Sequence, residues 1–263
     1  IIFYRNNFLD PTILINDVSS YISTRTNITA ENNFTHLSIG NNTGAINASN
    51  ILVYLPMDIN NTDNSSSYDY SYNNNDARYV GTPIWNKSGY FGGSFRIGLK
   101  EDILDGEHLS IGDASGLSIN ESSEGYSAFI WMKTHRGTTT QYVFTKGSGG
   151  NFEYEIIYNF DNTFNAFAYS LGGVGIATLD GATALNANQW YHVGIVWNKT
   201  NLTLWLNGNS EASNSSLTGA FGNGNAVIGI GYRSDALSSV LNGTVDEFII
   251  INKSLSATEI KNL

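Results

Sequence analysis

From residue 51 onward, apolar and polar residues alternate in short runs that recur every 8 to 15 residues. "ILVYLPMD" opens the series, and strand-like runs follow at 93–97, 107–111, 126–133, 141–146, 152–159 and 164–170. Others fall at 174–179, 189–197, 201–207, 225–232 and 245–252. A period of two sends successive side chains to opposite faces of a sheet. The breaks are Gly, Asn, Asp and Ser, residues suited to tight turns. One long break, residues 59–79 ("INNTDNSSSYDYSYNNNDARY"), reads as an Asn/Ser/Tyr loop. Helix is predicted only at the end, in "SLSATEIKNL", with Ser256 as N-cap and Glu259 three positions on. The pattern predicts an all-β chain, a sandwich or barrel of many short strands.

The most informative stretch is "QWYHVGIVWNKTNLTLWLNGN", residues 189–209. Tyr191, Val193, Ile195 and Trp197 share one face; Trp190, His192, Gly194 and Val196 share the other. Both faces are apolar, so this strand is central and covered on two sides. Leu202, Leu204 and Leu206 give its partner one apolar face. "NKTN" joins the two as an antiparallel hairpin, and Asn207-Gly208 supplies a tight turn with positive φ.

Residues 1–50 differ from the rest. Three apolar pieces (1–4, 12–15 and 34–39) lie among polar residues and make too little core to stand alone. They form a β-rich extension, with 51–263 as the main domain. Its first residues, Ile1, Ile2, Phe3 and Tyr4, would leave an open sheet edge. Either they complete this chain's own sheet or they add a strand to a neighbouring copy. The second arrangement builds a filament, because head-to-tail contacts that do not close propagate.

Composition narrows the function. Charged residues are 14% of the chain, against roughly 25% in an average globular protein, so Asn, Ser, Thr and Gly must make the surface. A net charge of −10 disfavours nucleic acid and anionic membranes as partners. The absence of cysteine excludes disulfides, thiolate metal sites and cysteine nucleophiles. No run reaches the roughly 18 apolar residues that span a bilayer. The first residue is Ile rather than Met, which reads as a processed product. Asn-x-Ser/Thr begins at Asn27, Asn33, Asn41, Asn47, Asn60, Asn64, Asn86, Asn120, Asn198, Asn201, Asn214, Asn242 and Asn252. With 34 Asn and 49 Ser or Thr in 263 residues, random placement gives about 6 such sequons, so 13 is an excess. The expectation is an N-glycosylated protein, extracellular or on the cell surface.

"WYHV", a turn and "LTLWLNG" together resemble the central hairpin of laminin-G-like, concanavalin A-like jelly-roll domains. The ending "LNGTVDEFIIINKSLSATEI" is similar to the close of that family, and "VYLPMD", "GYFGGSFRI" and "DGEHLSIG" follow its order. The resemblance covers about 51–263. It implies an antiparallel β-sandwich jelly roll. It also implies a structural calcium where first and last strands meet, held by Asp58 and Asp246 with a carbonyl near Gly93, since calcium takes oxygen ligands.

Some relatives are glycosidases, whose chemistry needs two carboxylates about 5 to 9 Å apart. Glu153 and Glu155, at i and i+2, would share a strand face, but the family's third acid is replaced by Tyr158. Sugar binding would need exposed aromatics, for which Tyr68, Tyr70 and Tyr72 offer a rim. His192, alone on a strand, reads as a packed residue, and the four His (36, 108, 135 and 192) show no zinc spacing. "GSGG" at 147–150 reads as a hairpin loop.

The leading expectation is a non-enzymatic structural or adhesive protein that self-assembles through its N-terminal strand. The alternatives are a calcium-dependent glycan-binding module and, third, a glycosidase using Glu153 and Glu155.

Overall fold

The computed structural model describes residues 46, 48–60, 65–98, 106–114, 116–119, 124–135, 139–222, 226–233 and 239–263. Two eight-stranded antiparallel sheets form a sandwich. Across the first sheet lie β14 (Asn209–Asn214), β13 (Leu202–Leu206), β12 (Tyr191–Trp197) and β7 (Tyr126–Thr134). β16 (Gly243–Ile251), β5 (Ser94–Ile97) and β4 (Ile84–Asn86) continue it, and β1 (Ile51–Leu55) also pairs with β16. The second sheet starts with β11 (Gly175–Asp180), β10 (Phe164–Tyr169), β9 (Asn151–Tyr158) and β8 (Gln141–Ser148). It ends with β15 (Ile228–Ile230), β6 (His108–Ile111), β3 (Ala77–Val80) and β2 (Ser66–Ser67).

Between the sheets the inward-facing residues form one core, including Val53, Phe95, Ile130, Phe144, Tyr154, Val193, Leu204, Val245 and Phe248. Each such side chain contributes about 1.5–3 kcal/mol on burial. The first sheet is covered on its outer side too. Ile51, Phe129, Val196, Ile249 and Ile251 pack there beneath Leu255 and Ile260 of the C-terminal segment. This accounts for the two apolar faces of β12. Ile46, which the sequence assigns to the extension, is buried in the same cluster. The helix α1 (Ala257–Lys261) starts with the expected capping box: Ser256 and Glu259 each bind the other's backbone N–H. At the β13–β14 turn, Asn207 and Gly208 take φ of 48° and 75°, as expected.

Four of the described strands, β2, β3, β4 and β14, were not legible. β3, β4 and β14 carry little apolar alternation because they lie at or near sheet edges, and β14 buries no residue. The Asn/Ser/Tyr stretch is also more ordered than a loop, since it contains β2 and the start of β3. Buried Asp69 accepts hydrogen bonds from the amides of Tyr54, Ser71 and Asn75. The side chains of Asn73 and Asn75 donate to the Leu52 carbonyl. Side-chain amides thus satisfy part of the free edge of β1, as sheet edges require.

β16 is the strand that organises the site. β7 pairs along one side of it, with a bulge between Asp246 and Ile249. On its other side β5 pairs with Gly243–Val245 and β1 with Phe248–Ile251. The handover occurs at the bulge, where Glu247 takes φ of 51°. Bulges re-aim side chains in this way.

Candidate functional site

The loop joining β4 to β5, residues 87–93, folds over the outer face of the first sheet at this bulge. Asp246 is fully buried there, and its Oδ2 accepts from the amides of Tyr90 (2.8 Å) and Phe91 (3.0 Å). The Gly89 amide donates to the Gly92 carbonyl at 2.7 Å, and the Gly93 amide to Asp58 Oδ1 at 2.9 Å. A Cβ on Gly89 would collide with the Gly93 carbonyl oxygen and Asp246 Oδ2, and one on Gly92 (φ 61°) with Asp58. The loop closes this tightly only because those positions are glycine.

Burial, and secondly the charge of Glu247, push the Asp246 carboxyl up to about 8, against the pull of three backbone amides. Among the described residues its Oδ1 is buried without a hydrogen-bond partner. Asp58, Gly93 and Asp246, taken from distant parts of the chain, therefore meet at one corner. Two carboxylates, one of them with a buried oxygen left over, and a main-chain carbonyl fit a hard cation such as calcium. Among the described residues no three His, Cys, Asp or Glu side chains gather as a metal-binding group. Carbonyls and water would have to complete the coordination.

The same hydrogen bonds place two aromatic rings. Trp131 on β7 pairs with Asp246 on β16 and with His192 on β12. Tyr90 stacks on Trp131, with ring centroids 3.4 Å apart and planes 11° from parallel. Phe91 meets Tyr90 edge-on at 4.7 Å, and Trp190 approaches Tyr90 at 6.1 Å. His192 lies against Trp131 and Phe129, 4.9 and 5.0 Å away. Burial drives its imidazole down to about 4, so it is a neutral packing element. Tyr90 and Phe91 remain 41% and 51% exposed. The result is an aromatic ledge, fixed from below and open above, on the half of the outer face that α1 leaves uncovered.

The carboxylate pair predicted on β9 is not a pair. The register between β8 and β9 shifts at Lys146/Gly147, making Glu153 the extra residue of a bulge. This breaks the alternation that would put Glu153 and Glu155 side by side. Glu153 lies 3.6 Å from Lys146 and accepts from Ser118. Glu155 instead binds Arg233 at 3.0 Å and the Tyr169 hydroxyl.

In "YDYSY", Tyr68 and Tyr72 are exposed and Tyr70 is half-buried. His108 stacks on Tyr232 and His135 binds Asn188 and Thr244. Of the sequons, Asn60, Asn86 and Asn198 are exposed, and Asn201, Asn214, Asn242 and Asn252 are half-buried. Asn27, Asn33, Asn41, Asn47, Asn64, Asn120, the assembly residues Ile1, Ile2, Phe3 and Tyr4, and His36 lie outside the described residues.

Sequence reasoning missed Tyr90, Phe91, Trp131 and Trp190. The available signal was "GYFGG", two adjacent aromatics between glycines that permit a tight loop.

Comparison with known proteins agrees with this architecture. The binding domain of Paraclostridial Mosquitocidal Protein 1 superposes with a TM-score of 0.63 at 15% identity, over 81% of this chain and 51% of that one. A structure described as "Cell entry of botulinum neurotoxin type C is dependent upon interaction with two ganglioside molecules" gives 0.61 at 14% identity, over 81% and 50%. The botulinum neurotoxin serotype D binding domain gives 0.60 at 13%, over 81% and 50%. At such identities the likeness establishes the fold alone, and this chain spans about half the length of those structures. No curated protein sequence matches the chain. The family model of the concanavalin A-like lectin/glucanases superfamily matches residues 105–261, well over half the chain, and the chain belongs to that superfamily.

Proposed function

We propose that this chain is a non-catalytic carbohydrate-binding domain of an N-glycosylated extracellular protein, and that the Tyr90–Phe91–Trp131–Trp190 ledge is its ligand face. One observation carries the reading: two substantially exposed aromatic rings are held rigidly by a buried carboxylate beside two tryptophans. Large exposed apolar groups on a rigid support mark binding surfaces. Aromatic faces of this kind match the C–H faces of sugar rings. A calcium-type cation at Asp58, Gly93 and Asp246 would neutralise the buried carboxylate and lock the loop that carries the rings.

The solved toxin binding domains of like fold, one described through its interaction with two ganglioside molecules, add support for a binding role. The division of Glu153 and Glu155 between separate ion pairs supports the non-catalytic part. Sequence alone favours a self-assembling coat protein; the ledge shifts the balance to glycan recognition.

The test is a glycan array with calcium present, followed by calorimetry on the ligands found. Tyr90→Ala/Phe91→Ala should weaken binding about tenfold or more, since each ring contact is worth about 1 kcal/mol, and should lower the melting temperature by only a few degrees through the lost stacking on Trp131, so that the variant stays folded at the assay temperature. Binding to no glycan, or full affinity in the double variant, refutes the proposal.

A further inference from the structure

Beside the ledge sits a cation without a counter-charge. The Lys133 ammonium lies 4.8 Å from the centroid of the Trp190 ring. It is half-buried and, among the described residues, has neither hydrogen bond nor ion pair. The other described cations near buried surface are engaged: Lys146 with Asp113, Arg233 with Glu155 and Lys253 with Glu259. Arg96, which pairs with the same Thr244 as Lys133 does, donates to the carbonyls of Ile97 and Gly243 and to Asn242. It also feels the charge of Glu107. His135 is depressed by burial first, and then by the charges of Arg96 and Lys133, so the three groups share one positive neighbourhood. The described acids at the β16 bulge are engaged: Asp246 is fully buried beneath the loop, and Glu247 accepts from the Tyr54 hydroxyl.

In a chain of net charge −10, an unpaired ammonium stacked on an indole at the rim of an aromatic surface is conspicuous. Partial desolvation of a cation costs free energy, which an incoming anion recovers. The face of the tryptophan meanwhile holds the ammonium in place.

We propose that the ledge selects acidic saccharides, with the Lys133 ammonium anchoring a carboxylate or sulfate group while the Tyr90 and Phe91 rings take the sugar. This inference rests on the carbohydrate-binding reading above and names the ligand class for that site. Lys133 is two residues along β7 from Trp131, so it shares the outer face with the stacked rings. A ligand that touches both spans about two residue rises, roughly 7 Å, the scale of one or two sugar rings.

The experiment titrates the purified full chain with three probes of equal length: a neutral gluco-oligosaccharide, an oligosaccharide of hexuronic acids, and a sulfated neutral oligosaccharide. Acidic probes should bind about fivefold tighter than the neutral one at low salt, and the advantage should shrink at about 1 M NaCl. Lys133→Gln should abolish the advantage of the acidic probes over the neutral one, and Lys133→Arg should keep it. Comparing the uronic and sulfated arms identifies which anion is recognised. Equal affinity for neutral and acidic probes overturns the inference, as does an advantage that survives Lys133→Gln. If the Gln variant does not fold, the unmodified chain decides: an acidic preference insensitive to salt overturns it. Failure of both acidic probes to bind overturns this inference, while the glycan array decides the carbohydrate reading separately.

Discussion

Replacing Lys146 by Met tests the buried charge network on the β8–β9 bulge. The Lys146 side chain is fully buried, with its ammonium 2.8 Å from Asp113 Oδ1, 2.7 Å from the Ala226 carbonyl and 3.6 Å from Glu153 Oε1. Met fills nearly the same volume, so the substitution deletes charge rather than packing. Asp113, about one-third exposed, returns to water at small cost. Glu153, fully buried, loses its cation, and breaking a buried pair from one side costs about 3–5 kcal/mol. The Ala226 carbonyl loses a donor, adding about 1 kcal/mol.

The expected destabilisation is about 4–6 kcal/mol. For a domain of this size that corresponds to a melting-temperature drop of roughly 8–24 °C. Adding Glu153→Gln removes the stranded charge, so the double variant should be more stable than Lys146→Met alone by about 2–3 kcal/mol. Urea unfolding followed by tryptophan fluorescence measures each corner of the cycle. A cost below about 1 kcal/mol for Lys146→Met, or a double variant weaker than the single, would refute the assignment of Glu153 as a structural ion-pair partner.

Three further outcomes are expected. Because Asp246 is raised from 3.8 to about 8, ionising it costs stability. In chelator, stability should therefore fall as pH rises across that window, Asp246→Asn should remove the slope, and calcium should raise the melting temperature at pH 8 only in the unmodified chain. Thermal melts across pH with and without calcium decide this, and equal pH dependence of the two proteins counts against it. For Glu259, burial raises the carboxyl, but Lys253 and the amide and hydroxyl of Ser256 outweigh it and hold it below its ordinary 4.5. Its contribution is present above that value and lost as pH falls below it, so Glu259→Gln should cost about 0.5–2 kcal/mol at pH 7 and little at pH 3, read by denaturant melts. Glycopeptide mapping of the native protein should find N-glycans on exposed Asn60, Asn86 and Asn198, and the absence of glycan from all 13 sequons would remove the glycoprotein reading.

Much of the fold is local information and can be read along the chain. Alternation on β12 marks a strand buried on both sides, because its own side chains state both environments. Ser256 with Glu259, and Asn207 with Gly208, specify a helix start and a hairpin turn through contacts a few residues long. The resemblance to the laminin-G-like family brought Asp58, Gly93 and Asp246 into one site. β4 and β14 escaped because an edge strand need not bury a face, so its sequence carries no period; β3, one strand in from the edge, fully buries only Ala77.

Tertiary structure decided the rest. Glu153 and Glu155 have the spacing of a shared face, yet a bulge set by pairing with β8 separates them. Tyr90 and Phe91 look like any two loop aromatics until their amides meet the carboxylate of Asp246, more than 150 residues away. That contact points the rings at Trp131 and leaves them open to solvent. Period and turn chemistry report each residue's near neighbours, whereas the direction of a loop side chain depends on which distant strand its backbone is bonded to.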